Sequence, residues 1–293
     1  MKAVPADYQL VSPGSLPAVL NLLAQEPGVW TPIAGGTELM VQFGAGRLKP
    51  RHLVNIFGLP ELTKVTLTPD SIIIGAGVTY ATLRNNPEVS GVLPLLSRAA
   101  SWTGSPANQN RGTLGGNLVN ASPAADSPPA LLAYNASLEL VSAHGTRRVP
   151  YSDFHTAYKQ SLLGSDELVL AIHIPRPPAG AYQYLRKVGP RNAQAISKVA
   201  LGAIGSLVDQ RIQGVRLGLA SVSHAPFRCR QTEAMLNESP LTPATIAEAR
   251  NALVAEITPL DDIRSTGRYR TQVAANLLEE FLQQLSMHAQ VTE

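Results

Sequence analysis

Cysteine is almost absent: one residue, Cys229, in 293. It cannot close an internal disulfide, and alone it cannot hold a zinc ion or an iron–sulfur cluster. Histidine is scarce too. The six residues, at 52, 144, 155, 173, 224 and 288, show no H-x-x-x-H or related spacing, so no metal site is expected. Charged residues make up only 15% and the formal net charge is +3. The densest basic pairs are Arg147-Arg148 and Arg186-Lys187, too few to predict a nucleic-acid or membrane-surface partner. No stretch approaches the ~18 consecutive apolar residues of a membrane span. Residues 1–10 have no apolar run after their single Lys, unlike a signal peptide. These absences predict a soluble, cytoplasmic protein in a reducing compartment.

What is present is a chain with 44% hydrophobic residues, long enough for two domains with real cores. Residues 15–24 place Leu16, Val19, Leu20 and Leu23 on one helical face, with Ser15 as N-cap and Pro17 in the first turn. Residues 30–43 read as a strand, a Gly-Gly turn and a helix or extended exit. HLVNI and SIIIGAGV read as strands, with a polar meander between them that closes an antiparallel pair. Residues 92–100 read as a helix. A short apolar helix, PPALLA, precedes a strand and a turn at His144-Gly145. ELVLAIHIPRP, AYQYLRKVG, SKVALGAIGSLVD and IQGVRLGLASVS read as further strands. Two amphipathic helices follow: one begins at Thr242-Pro243, and the other carries Val273, Leu277, Leu278, Phe281 and Leu285 on one face. The order of elements predicts an α+β protein. The Pro-rich IPRPPAG, residues 174–180, is the best domain boundary.

Two stretches carry chemistry. In PIAGGTE, residues 32–38, successive glycines after a strand allow backbone N–H groups to converge, a nest for phosphate that needs no Lys; Thr37 adds a hydroxyl. RGTLGGNLVNASPAADSPP, residues 111–129, repeats this at larger scale with Gly112, Thr113, Gly115, Gly116 and Asn117, and its single acid, Asp126, can accept from a sugar-like hydroxyl or a ring N–H. It reads as a long loop that contributes little to a core, and such loops are commonly functional. Neither stretch extends to G-x-G-x-x-G or is followed by Gly-Lys-Ser/Thr. Two separated nests suggest one long diphosphate-bearing ligand gripped from both sides. The residues alone lead as far as a dinucleotide-like cofactor.

AGGTE, NRGTLGGNLVNASPAAD and RKVGPRNAQAIS, with the later DDIRSTGRYRTQVAANLL, resemble in order and spacing the FAD-binding (medium) subunit of the molybdenum hydroxylases, the xanthine dehydrogenase and carbon monoxide dehydrogenase group. The resemblance covers nearly the whole chain. It implies a two-lobed FAD-binding domain of the vanillyl-alcohol oxidase type over residues 1–175, with lobes of about 1–57 and 58–175. A small C-terminal α+β domain, a sheet plus helices, would occupy 176–293. It further implies that Thr31, Pro32, Ile33, Ala34, Gly35, Gly36, Thr37 and Glu38 cradle the FAD diphosphate. Gly112, Thr113, Leu114, Gly115, Gly116 and Asn117 would clasp it from the second lobe, with Asp126 near the ribityl or sugar hydroxyls and Leu168, Arg186 and Lys187 lining the bound FAD. Arg186 and Lys187 beside the ring would favour its anionic reduced form. Glu38 stands where many relatives have Asp, and AQAIS replaces the DIA-type ending of the xanthine dehydrogenases.

By the same resemblance, this chain would be an oxidoreductase subunit with no catalytic acid or base of its own. Electrons would come from [2Fe–2S] clusters on a small partner subunit, after oxidation of the substrate on a large subunit carrying molybdopterin cofactor, and would pass to NAD or another acceptor. The assembly would be a dimer of heterotrimers. Two other readings remain open from the residues: a stand-alone FAD-dependent oxidase of the same fold, and an assembly module that has lost FAD. His155, in DFHTAY, reads as a structural residue capping a turn. Cys229, between two arginines, reads as a strand residue whose thiol pKa is depressed. Trp30 and Trp102 read as core or subunit-contact residues.

Overall fold

Leu16–Gln25 is helical where the 3.6-residue period places it. The Ser15 hydroxyl accepts from the Ala18 N–H, Pro17 sits in the first turn, and Leu16, Val19, Leu20 and Leu23 are buried. The computed structural model describes residues 4–191 and 194–292. Residues 1–3, within the segment compared with a signal peptide, and residues 192 and 193, within RKVGPRNAQAIS, lie outside the described residues.

Among the described residues, three sheets of three or more strands organise the chain, beside a two-stranded pair, His155–Ala157 with Gln160–Ser161. Gln9–Val11, His52–Asn55 and Trp30–Ile33 form a parallel three-stranded sheet with His52–Asn55 in the centre. Parallel neighbours require crossover connections, and the helices Leu16–Gln25 and Leu39–Gly44 lie within them. The core under this sheet joins Leu20, Leu23, Trp30 and Val54 to Val141 and Leu168 of the next one.

The second sheet is antiparallel, in the spatial order Val65–Leu67, Ser71–Gly75, Leu168–Pro175, Ser137–Ser142, Gly145–Pro150. Period-2 alternation turns Ile72, Ile74, Leu138 and Leu140 inward. They meet short helices that include Tyr80–Asn85, Pro94–Trp102 and Leu114–Val119. The helix expected over 92–100 is two helices, Pro87–Val92 and Pro94–Trp102. Proline fits a first turn but not a helix interior, so Pro94 starts a new helix.

The third sheet, Tyr182–Val188, Val199–Val208, Arg211–Ala220 and Phe227–Arg228, is antiparallel throughout. Its outer core packs on Pro243–Glu256 and Gly267–Thr292 through Leu253, Leu277, Leu278, Phe281 and Leu285, with Val273 partly buried beside them. The Thr242 hydroxyl caps the first of these helices at the Thr245 N–H, with Pro243 in the first turn.

The other face of this sheet receives the PPALLA helix, Pro128–Ala133, all six residues of which are buried. At Gly202 and Gly218 an added Cβ would stand 2.6 and 2.5 Å from the Pro129 carbonyl oxygen, so the sheet lies directly on helix backbone. Beyond that helix, the Leu95 N–H donates to the Tyr134 hydroxyl (3.0 Å), which donates to Gln183 Oε1 (2.7 Å), tying second and third units.

One expectation fails here. The stretch 111–129 is not a coreless loop: Leu114–Val119 is a helix capped by the Thr113 hydroxyl at the Gly116 N–H (3.1 Å), and Leu114 and Leu118 are fully buried. Gly116 is on the exposed face of this short helix, while Leu114, Gly115 and Leu118 are buried.

Candidate functional site

The strand Trp30–Ile33 runs out of the first sheet into residues 34–38, which turn into the helix Leu39–Gly44. Opposite, residues 112–117 leave the helix Pro106–Arg111 and enter the helix Leu114–Val119. Between these segments lies a cleft of about 1460 Å³, larger than the roughly 300–1,000 Å³ usual for small-ligand sites. A third wall comes from the C-terminal part: Gln194, Ala195, Ile196, Ser197, Ser221, Ser223 and residues 260–262, 264 and 270.

The two Gly-rich segments touch. A Cβ on Gly35 would lie 1.7 Å from the Arg111 carbonyl oxygen, so only glycine permits the approach. Gly115 is likewise a packing residue: a Cβ there would meet the Ala76 Cβ at 2.5 Å, and its N–H donates to the Ala76 carbonyl at 2.8 Å. Gly36 takes a φ of +75°, which turns the chain toward the helix. Gly116 is exposed in the cleft wall, and the crowding a Cβ would meet there is the Thr113 hydroxyl at 2.9 Å. Glu38 lines the cleft and accepts from Gln42 Nε2 at 3.1 Å.

Of the residues singled out from sequence, Thr31, Pro32, Ala34, Gly35, Gly36, Thr37, Glu38, Gly112, Thr113, Gly115, Gly116, Asn117, Asp126 and Leu168 line one cleft. Ile33, Leu114, Arg186 and Lys187 do not. Leu114 is core. Arg186 and Lys187 are consecutive on the strand Tyr182–Val188, so they point to opposite faces. Arg186 approaches Glu280 on the last helix at 3.9 Å and is half exposed. Lys187 is buried and donates to Asp126 Oδ2 at 2.7 Å. Arg186 thus faces Glu280 and Lys187 is paired with Asp126, and neither side chain lines the cleft.

Asp126 also accepts from the Ser197 hydroxyl at 2.7 Å through Oδ1. Burial lifts its carboxyl above the ordinary range, and Lys187 offsets only part of that rise. Both oxygens are engaged within the chain, so the carboxylate binds the second wall to the third. Tyr80, also lining the cleft, shares a hydrogen bond with Ser127 (3.2 Å), and burial raises its phenol far above the ordinary value.

Sequence reasoning gave no site role to the third wall. Arg270, 4% exposed, donates to Asp262 Oδ1 and to the Lys198 carbonyl, both at 2.7 Å. Asp262 Oδ1 also accepts from the N–H groups of Arg264 and Ser265, and the Gly267 N–H donates to Asp261. DDIRSTG is thus a turn built on two carboxylates that aims Arg270 at the cleft. The motif was visible in sequence; its position was not.

His155 and Cys229 carry no site chemistry. The His155 ring meets the Tyr151 hydroxyl at 3.1 Å, and burial lowers its pKa to about 4. Cys229 is not in a strand: it stands immediately before the helix Arg230–Leu236, makes no side-chain capping bond, and is fully buried. Its thiol is raised, not depressed, by burial and by the nearby Glu256 and Glu233. Trp30 belongs to the first core, and Trp102 packs against the second under Arg98. Among the described residues, no group of three or more His, Cys, Asp or Glu is placed to hold a metal, and no helix is long and apolar enough to cross a membrane.

An extended cleft that is apolar at Trp30, Ile56, Leu62, Leu168 and Val169 and polar at the glycine segments suits a ligand with a flat ring, a diphosphate and hydroxyl groups. In its wall, the Asn117 Oδ1 is buried without a hydrogen-bond partner, an acceptor awaiting a donor. These features fit FAD.

Comparison with known proteins agrees. Residues 6–177 match the family described as FAD binding domain in molybdopterin dehydrogenase, and residues 184–285 match CO dehydrogenase flavoprotein C-terminal domain. The chain is 30% identical over 272 residues to a putative xanthine dehydrogenase FAD-binding subunit of Escherichia coli (strain K12), covering 92% of each. It is 27% identical to the carbon monoxide dehydrogenase medium chain of Hydrogenophaga pseudoflava, over 95% of this chain and 97% of that one. A structure of carbon monoxide dehydrogenase from Hydrogenophaga pseudoflava, lacking the Mo-pyranopterin moiety of the molybdenum cofactor, matches with a TM-score of 0.92 at 26% identity, over 97% and 99% of the two chains.

Proposed function

The chain belongs to the family of FAD-binding subunits of the molybdopterin dehydrogenases, an oxidoreductase family, and from that membership we propose that it is the electron-transfer flavoprotein subunit of a molybdenum hydroxylase complex. It would take electrons from [2Fe–2S] clusters of a small partner and pass them to NAD or another acceptor, while a large partner with molybdopterin cofactor oxidises the substrate. The observation that carries this reading is one cleft in which both Gly-rich segments meet, with Gly116 and the unpartnered Asn117 Oδ1 in its wall.

Bound FAD supplies the capacity to accept and release electrons singly or in pairs. The chain holds and shields it. Residues 34–38 provide backbone N–H groups for the diphosphate, and Thr37 and Thr113 provide hydroxyls, while the N–H groups of Gly112, Leu114, Gly115, Gly116 and Asn117 are held within the chain. Asn117 accepts from a hydroxyl or ring N–H. Trp30 and Leu168 exclude water from one side. The Asp126–Lys187 pair ties the cleft wall at Asp126 to the Tyr182–Val188 strand.

The test is a visible spectrum of the purified chain with and without added FAD, together with co-purification from the source cell. Non-covalent flavin absorbance and recovery with an iron–sulfur and a molybdenum subunit are expected. Absence of flavin after reconstitution overturns the FAD reading. A free monomer that oxidises substrate by itself overturns the subunit reading in favour of an oxidase.

A further inference from the structure

The walls of the cleft are fastened at a point outside it. The Arg111 guanidinium lies 4.0 Å from the centroid of the Phe57 ring. Phe57 is carried by the first sheet: its N–H donates to Asn55 Oδ1 at 3.0 Å, and the neighbouring Ile56 N–H donates to the Ile33 carbonyl at 3.0 Å. Arg111 is carried by the second unit. It ends the helix Pro106–Arg111, and on either side of Gly112 the backbone is pinned by Gly112 N–H to Asn108 (2.6 Å), Tyr80 N–H to Gly112 (3.1 Å) and Leu114 N–H to Val78 (3.0 Å). At the same Arg111 the two units approach so closely that a Cβ on Gly35 would lie 1.7 Å from its carbonyl oxygen, and a Cβ on Gly112 would lie 3.5 Å from the Thr37 hydroxyl.

We propose that Arg111, stacked on Phe57, is a positioning residue that sets the separation of the two Gly-rich segments and thereby FAD affinity; the proposal rests on the FAD reading above. Neither side chain is among the residues lining the cleft. Any effect on binding is therefore transmitted through the position of the walls. The two units also share the buried core that joins Leu20, Leu23, Trp30 and Val54 to Val141 and Leu168, so losing the stack loosens the joint without unfolding it. Gly35 is the complementary half of the device: its missing Cβ allows the walls to close, and the stack keeps them closed.

The experiment measures FAD affinity of the full chain by flavin-fluorescence titration for wild type, Arg111→Gln, Phe57→Leu, the double variant and Phe57→Tyr. A partly exposed cation–π pair predicts about a three- to fivefold loss for each single variant. Because the two residues act as one unit, the double variant loses no more than either single variant. Phe57→Tyr, which keeps the ring face, binds as wild type. Wild-type affinity in either single variant overturns the proposal. So does a double variant whose loss is the product of the two single losses, or failure of Phe57→Tyr to bind as tightly as wild type. Absence of FAD binding by the wild-type chain is a different result, and it removes the FAD reading itself.

Discussion

Lys187 and Asp126 show how a single contact changes a functional reading. A lysine beside a flavin is an electrostatic device; a lysine 2.7 Å from a buried carboxylate is one half of a neutral pair. Asp126→Asn leaves an ammonium at 3% exposure without its anion, and removing one partner of a buried pair costs about 3–5 kcal/mol. Chemical denaturation is expected to register that loss, and Asp126→Asn with Lys187→Met to recover most of it; a single variant as stable as wild type would show the pair to be dispensable. His155 gives the pH dependence. Its folded pKa of about 4 lies below the ordinary imidazole value of 6.5, so between those values the unfolded chain binds a proton that the folded chain does not. The stability tied to His155 is complete above pH 6.5 and is lost as pH falls toward 4. Comparing denaturation at pH 7 and pH 5, the fall should be smaller in His155→Gln. An equal fall in both proteins would assign the acid sensitivity elsewhere.

The helix Leu114–Val119 separates two demands that the sequence runs together. Leu114 and Leu118 belong to the core, while Gly116 belongs to the cleft wall. Gly116→Val is expected to abolish FAD binding, because its side chain occupies the space opposite the first Gly-rich segment. It is also expected to cost about 1 kcal/mol by disturbing the Thr113 cap, which a Cβ would meet at 2.9 Å. A variant that binds FAD at wild-type affinity would remove this helix from the cofactor site. The helix Pro128–Ala133 makes the opposite prediction. Gly218→Ala lies away from the cleft, yet its Cβ would stand 2.5 Å from the Pro129 carbonyl oxygen, and overpacking of that kind costs about 1–3 kcal/mol. Urea midpoints should fall accordingly, whereas unchanged stability would mean that sheet and helix part without cost.

At the scale of the molecule, the chain is built to hold a cofactor. Its cleft is closed by three units, the third of which contributes Ser197, Ser221 and Arg270. Isolated, it should reduce no electron acceptor at the expense of purines, aldehydes or N-heterocycles, while its flavin is still reduced by dithionite or a dye. Anaerobic titration followed in the visible region checks both halves. Turnover of any such substrate by the isolated chain would move the substrate site onto this subunit.

Periods, caps and prolines are local properties, and the sequence by itself determined what depends on them: the Leu16–Gln25 helix with its Ser15 cap, the Thr242 cap before Pro243, the strands Ser71–Gly75 and Leu168–Pro175, and the two Gly-rich segments. Facing, charge balance and contact across the cleft are long-range, and only the tertiary structure decided them. Whether Arg186 or Lys187 turns inward depends on how the Tyr182–Val188 strand pairs, because neighbours on a strand point apart. That Gly35 serves the meeting of two walls as much as a phosphate depends on Arg111, 76 residues away in sequence but in contact in space. The same glycine pattern permits a nest, a turn or a close contact, and only the atom opposite the missing Cβ tells them apart.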